Sequence, residues 1–230
     1  MTAAYPEHPS RTPRPAVAGS VTYLLLNLPA GIAGFVLLVT LGSVGVSTVI
    51  VWVGVPVLML AILLARAFAE VERARIRALL GTYIPRPYRP LPDGGHKVRW
   101  KARLSDSSTW RDSCYLLLLF PIGIVEFVLV VTLWAVSFGL LALPVYYRYL
   151  PEGAYFFPSY DLRWITVDSV PTALPWAALG VLLLVATVAF TRGLATTHAR
   201  IARLLLGPSP GRMVDVETDV DQRQPHPVAE

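Results

Sequence analysis

The 230-residue chain is 54% hydrophobic and only 15% charged, with a mean hydropathy of +0.54. Soluble domains carry about 25% charge, so this balance excludes an ordinary water-soluble globule and points to lipid. A single cysteine, Cys114, excludes an internal disulfide and a cysteine-based metal site, and the four histidines lie scattered without ligand-like spacing.

Residues 1–18 are rich in Pro, Ser and Thr and are expected to form a disordered cytoplasmic tail. Ser20–Leu41 contains no charged residue, enters at Tyr23 and carries Asn27 and Pro29. Gly42-Ser43-Val44-Gly45 is expected to be the turn into a second charge-free run, Val44–Ala65. Roughly 20 apolar residues cross a bilayer as helix, and lipid demands that backbone groups be satisfied within the segment. Both runs meet that requirement.

Span two continues as RAFAEVERARIRALLG. At helical spacing, Arg66, Glu70, Arg73 and Arg77 share one face, opposite Leu64, Phe68, Val71, Ile76 and Leu79. Such a stripe predicts a helix lying on the inner leaflet, stopped at Gly81. Residues 82–108 form a connector that is basic and proline-rich up to Lys101, and Ser105-Asp106-Ser107-Ser108 offers N-caps for a helix starting near Thr109. Trp110 would anchor that helix at the interface.

Ser113–Leu143 is the third apolar run, with one charge, Glu126. It is longer than a straight span needs. Either the helix tilts and protrudes or, the favoured reading, it breaks near Val136–Gly139, which the match to the first copy places at the outer turn, with Pro144 as a further interruption. An outer aromatic loop (144–172) follows, then the charge-free Ala173–Thr191 and a basic extension, Arg192–Gly207. Residues 208–230 read as a disordered acidic cytoplasmic tail.

The chain repeats itself. Tyr23–Leu41 (YLLLNLPAGIAGFVLLVTL) and Tyr115–Leu133 (YLLLLFPIGIVEFVLVVTL) share thirteen of nineteen residues at an offset of 92. Gly54–Gly81 echoes Gly180–Gly207 at an offset of 126, so about 34 residues were inserted into the second copy. The expected architecture is therefore an all-α membrane protein. Four transmembrane helices form two tandem hairpin repeats (20–81 and 109–207) within a domain of residues 19–207. Amphipathic cytoplasmic extensions and one outer loop complete it, and the repeats should be related by an axis along the membrane normal.

Eleven Lys and Arg residues lie between spans two and three, whereas the outer loop holds only Arg148 and Arg163. The positive-inside rule then places both termini and the connector in the cytoplasm and the protein in the inner (plasma) membrane. Anionic lipid beside these flanks accounts for the formal charge of +5 without any nucleic acid.

Walker, zincin, nucleophile-elbow and kinase motifs are all missing from the sequence, so neither an enzyme nor a cofactor is expected. Three places could carry function. Tyr146, Tyr147, Arg148, Tyr155, Phe156, Tyr160 and Trp164 crowd the outer loop, either as an interfacial aromatic belt or as a ligand-binding cap. Glu126 is costly in a span and serves either to hold the bundle together or as a switch; it aligns with Gly34, which could leave room for it. On the cytoplasmic extensions, Glu72 aligns with His198; with Arg73 and Arg75 they could couple the helices, or remain solvated charges.

These features together resemble the sensor domain found at the N-terminus of many actinobacterial membrane histidine kinases and in standalone sensor-domain membrane proteins. The matching residues are the Tyr23–Leu41 run, Glu72-Arg73-Ala74-Arg75 with Leu79–Gly81, and Thr109-Trp110-Arg111-Asp112 ahead of YLLLLFPIGI. Leu143-Pro144-Val145-Tyr146-Tyr147 and the terminal ARIARLLLG complete the set. The resemblance spans Val21–Gly207 and implies a sensory or regulatory protein. It would perceive an envelope or membrane signal and pass it to a kinase, a response regulator, a transcription factor or a second copy of itself. The alternative is the membrane subunit of an exporter served by a partner ATPase.

Overall fold

The computed structural model describes residues 16–88, 95–159 and 161–208. Four long helices dominate: α1 (Val17–Ser47), α2 (Gly54–Leu80), α4 (Ser107–Tyr146) and α5 (Val170–Leu206). Each is long and apolar enough to cross a membrane. Their apolar side chains face outward in large number, among them Val36, Leu60, Val128 and Leu182. Lipid-facing helices do this because hydrocarbon is as apolar as a core, and small residues let the backbones meet.

The turn between α1 and α2 lies later than the glycines of Gly42–Gly45 predict. Helix α1 runs on to Ser47, and the turn occupies residues 48–53. Ser47 Oγ and Thr48 Oγ1 donate to the carbonyls of Ser43 and Val44, keeping the last turn satisfied without water. Gly45 and Gly54 then meet: a Cβ on Gly54 would stand 2.0 Å from the Gly45 carbonyl oxygen.

Helix α4 is continuous, and the expected break near Val136–Gly139 does not occur. Ser137 Oγ donates to the Leu133 carbonyl and lies 3.1 Å from Thr187 Oγ1 of α5, which flanks this stretch. A break in apolar surroundings would leave carbonyls and amides unpartnered, at a cost of several kcal/mol each. Pro144 falls in the last turn, close to where the helix ends anyway.

Within the connector a further helix, α3 (His96–Ser105), lies where continuous loop was expected to Lys101. The predicted cap at its end is correct: Asp106 accepts from the Ser108 amide and starts α4. Gly81 ends α2 with φ 65, a left-handed conformation that suits glycine. The outer loop holds an antiparallel hairpin, β1 (Tyr155–Pro158) and β2 (Arg163–Val167).

Helices α1 and α4 touch at two glycines. A Cβ on Gly31 would lie 2.7 Å from the Leu119 carbonyl oxygen, and one on Gly123 would lie 2.8 Å from that of Asn27. The repeat offset of 92 exchanges these two contacts, Gly31 with Gly123 and Asn27 with Leu119. The order of contacts is opposed: Gly34 lies against Leu116, Gly31 against Leu119 and Phe120, and Asn27 against Gly123 and Glu126. At this crossing the contacts therefore run in opposed order along α1 and α4.

Candidate functional site

All four long helices send polar side chains to one buried point. From α1 come Tyr23 and Asn27, from α2 Glu72 and Arg75, from α4 Tyr115 and Glu126, and from α5 His198. All are buried apart from Arg75, whose side chain is 18% exposed. Their hydrogen bonds close a ring. Glu126 Oε1 lies 2.7 Å from His198 Nδ1, and His198 Nε2 lies 3.0 Å from the Tyr115 hydroxyl. Tyr115 reaches Glu72 Oε1 at 3.2 Å, and Arg75 donates to Glu72 Oε2. Arg75 also donates to Asn27 Oδ1 at 3.0 Å, and Asn27 Nδ2 returns to Glu126 Oε2 at 2.7 Å. Tyr23 adds a bond to Glu72 Oε1 at 2.8 Å and presents its ring edgewise to His198.

Proton counting gives this ring two arrangements. Tyr115 has one hydroxyl proton and two neighbours that can accept it. With His198 neutral and protonated on Nδ1, His198 donates to Glu126 and Tyr115 donates to His198 Nε2. With His198 protonated on both nitrogens, Nε2 donates to Tyr115, which passes its own proton towards Glu72. Two carboxylates then face two cations, Arg75 and His198, and the buried charges balance.

A second cluster ties the ends of the helices together. Arg73 Nη2 binds Asp112 Oδ1 at 2.9 Å and the Leu206 carbonyl at 3.1 Å; its Nη1 donates to Glu70 and to the Tyr88 hydroxyl. Tyr88 donates to Asp112 Oδ2 at 2.7 Å. Burial first, and the Asp112 carboxylate second, push the Tyr88 phenol above its ordinary range, so it keeps this proton. Arg66 stacks over the Tyr88 ring and bonds Thr109 and Asp106. One connector tyrosine thus links α2, α4 and, through Arg73, the last carbonyl of α5.

The structure rearranges the expectations for these residues. Glu126 does lie against protein, beside span one, but Gly34 does not make its room. Gly34 faces Leu116 and Phe68, and Asn27 meets the carboxylate. Glu72 and His198 are buried and joined through Tyr115. Arg73 is buried while Arg77 on the same face is exposed, and Val71 points out while Ile76 beside it is buried, so the stripe does not divide α2 into a polar outer and an apolar inner side. Tyr23, Asn27, Tyr115, Asp112 and Tyr88 were not singled out by sequence reasoning. The available signals were a lone amide in a charge-free run and a tyrosine identical in both repeats.

The outer loop is arranged differently. Tyr146, Tyr147, Tyr155, Phe157 and Trp176 pack around Leu143, Val167 and Ala173. Phe157 stacks on Trp176 at 3.9 Å, and Arg163 lies over the buried Phe156 while pairing with Glu152. Trp164 and Tyr149 stand about four-fifths exposed, Arg148 is exposed, and Tyr160 lies outside the described residues. Most of these rings form a small core of their own, distant in sequence from the buried polar ring.

A multi-pass membrane protein whose four long helices meet at a buried hydrogen-bond ring is the class that this fold and site define. A family model described as "Putative sensor" matches residues 23–206, which takes in the ring, the second cluster and the outer loop. The chain belongs to that sensor family. No curated protein and no solved structure matches it.

Proposed function

We propose that this protein perceives a signal at the membrane or envelope and transmits it, through relative movement of its four helices, to a separate partner. The closed ring of Glu126, His198, Tyr115, Glu72, Arg75 and Asn27 is the observation that carries this reading. A packing device needs no histidine held between a carboxylate and a tyrosine hydroxyl. A two-arrangement ring joining every helix lets one proton, or one displaced helix, change the fit of the others. The Arg73–Leu206 contact then connects the ring's helix α2 to the end of α5, where the chain leaves the bundle. In this reading the two repeats are hairpins with their tips outward, both termini are cytoplasmic, and the aromatic loop lies at the outer surface.

The test uses full-length protein in lipid nanodiscs, spin-labelled at the exposed Cys114 and at a cysteine replacing Ala78. Distances are measured over a broad series of pH values. The wild type should show two populations whose ratio moves with pH, and His198→Gln should hold one. A single unmoving distance in the wild type would count against a switching ring. Labelling a cysteine at position 155 in a Cys114→Ala background tests the orientation; access from the cytoplasmic side alone would overturn it.

A further inference from the structure

A cleft of about 640 Å³ opens between one face of α2 and the strand of connector that doubles back along it, lined by Glu70, Arg73, Arg77, Tyr83, Ile84 and Arg86. Three arginines and one glutamate line it, and Arg73 is already paired with Asp112 behind the cleft wall. Glu70 is already shared between Arg73 at 3.2 Å and Arg86 at 3.0 Å, so it cannot neutralise the cleft. Arg77 has no ion-pair partner among the described residues, and its guanidinium lies 5.5 Å over the Tyr83 ring. That contact favours the guanidinium over the ring face.

We propose that this cleft is a binding site for a phosphate-bearing anion. Arginine forks match phosphate oxygens in pairs, and an anion between Arg77 and Arg86 would supply the counter-charge that Arg77 lacks among the described residues. The site is separate from the buried ring, and its occupancy can fail while the ring's role stands. It is nonetheless adjacent to the ends of the helices: Arg73 forms its inner wall and holds Asp112 and the Leu206 carbonyl on its far side. An anion that draws Arg73 outward would loosen the C-terminal end of α5.

The phosphate could belong to an anionic lipid headgroup or to a soluble compound, and two probes separate these sources. Full-length protein in neutral detergent is titrated with phosphatidylglycerol, read by native mass spectrometry, and with inorganic pyrophosphate, read by equilibrium dialysis. Saturable binding of either probe should weaken about tenfold or more in the R77Q/R86Q pair. It should persist in R99Q/K101Q, which removes the same charge from exposed positions of α3. Lipid binding alone names a headgroup, pyrophosphate alone a soluble ligand, and both name the phosphate itself. Lack of saturable binding, or equal weakening by the two pairs, would overturn the site. Arg86 is 77% exposed, so Arg86→Gln alone provides the same comparison if the double variant does not fold.

Discussion

Tyr23 and Tyr115 place their hydroxyls on the same oxygen, Glu72 Oε1, at 2.8 and 3.2 Å. They are equivalent residues of the two repeats, so one carboxylate of α2 is where the two copies converge. The equivalence is not complete. Only Tyr115 also reaches His198 Nε2.

That asymmetry predicts unequal costs. Tyr23→Phe removes one donor from a carboxylate still held by Arg75 and Tyr115, and should lower stability by about 1 kcal/mol. Tyr115→Phe strands both a Glu72 lone pair and His198 Nε2, and should cost about 1–3 kcal/mol. The double variant should depart from additivity, because the two share a partner. Denaturant unfolding in detergent measures all three. Equal single costs that add would contradict the shared-oxygen geometry.

Glu126→Gln keeps the shape and the bond from Asn27 but cannot share a proton with His198. Its amide would donate to His198 Nδ1 and so place the ring proton on Nε2. The variant should insert and accumulate like wild type yet lose the pH dependence of the spin-label distances. Wild-type pH dependence in this variant would remove Glu126 from the switch and leave it a packing role.

Asp112 sits fully buried between Arg73 and Tyr88. Asp112→Ala leaves Arg73 only the more exposed Glu70 as a carboxylate partner and strands the Tyr88 hydroxyl, a loss of about 1–3 kcal/mol. Hydrogen exchange should rise at the last turn of α5, whose Leu206 carbonyl Arg73 holds. Arg73→Lys should not rescue it, since one ammonium cannot span Asp112, Glu70, Tyr88 and Leu206. Unchanged protection at residues 203–206 would refute this latch.

Gly31→Val and Gly123→Val each push a side chain into the backbone of the facing helix, where a Cβ already falls under 3 Å. Overpacking of this kind costs about 1–3 kcal/mol or more. Gly139→Ala, whose Cβ would meet nothing within 4 Å, is the control. Thermal unfolding should separate the two crossing variants from the control; three similar melting points would show that α1 and α4 do not pack here.

Much of the fold is legible along the chain. Hydropathy over a window locates four helices because a lipid-crossing segment must be apolar throughout and satisfy its own backbone. Asp106 and Gly81 mark helix ends because caps are local events. The repeat is visible as matched text. Local glycines misled at Gly42–Gly45, and run length with the repeat match suggested a break near Val136–Gly139, because neither signal registers that apolar surroundings leave freed backbone groups without partners.

Composition, spacing and repeat thus determined by themselves a four-helix membrane protein with basic flanks and an inserted aromatic loop. Which polar residues share a site was decided only by the tertiary structure. Asn27, Glu126 and His198 are 99 and 72 residues apart in turn, and nothing local marks them as neighbours. They meet because close glycine contacts bring α1 across α4, and because buried polar groups far from water must find one another. That crossing, with its opposed contact order, turns isolated costly residues into one ring.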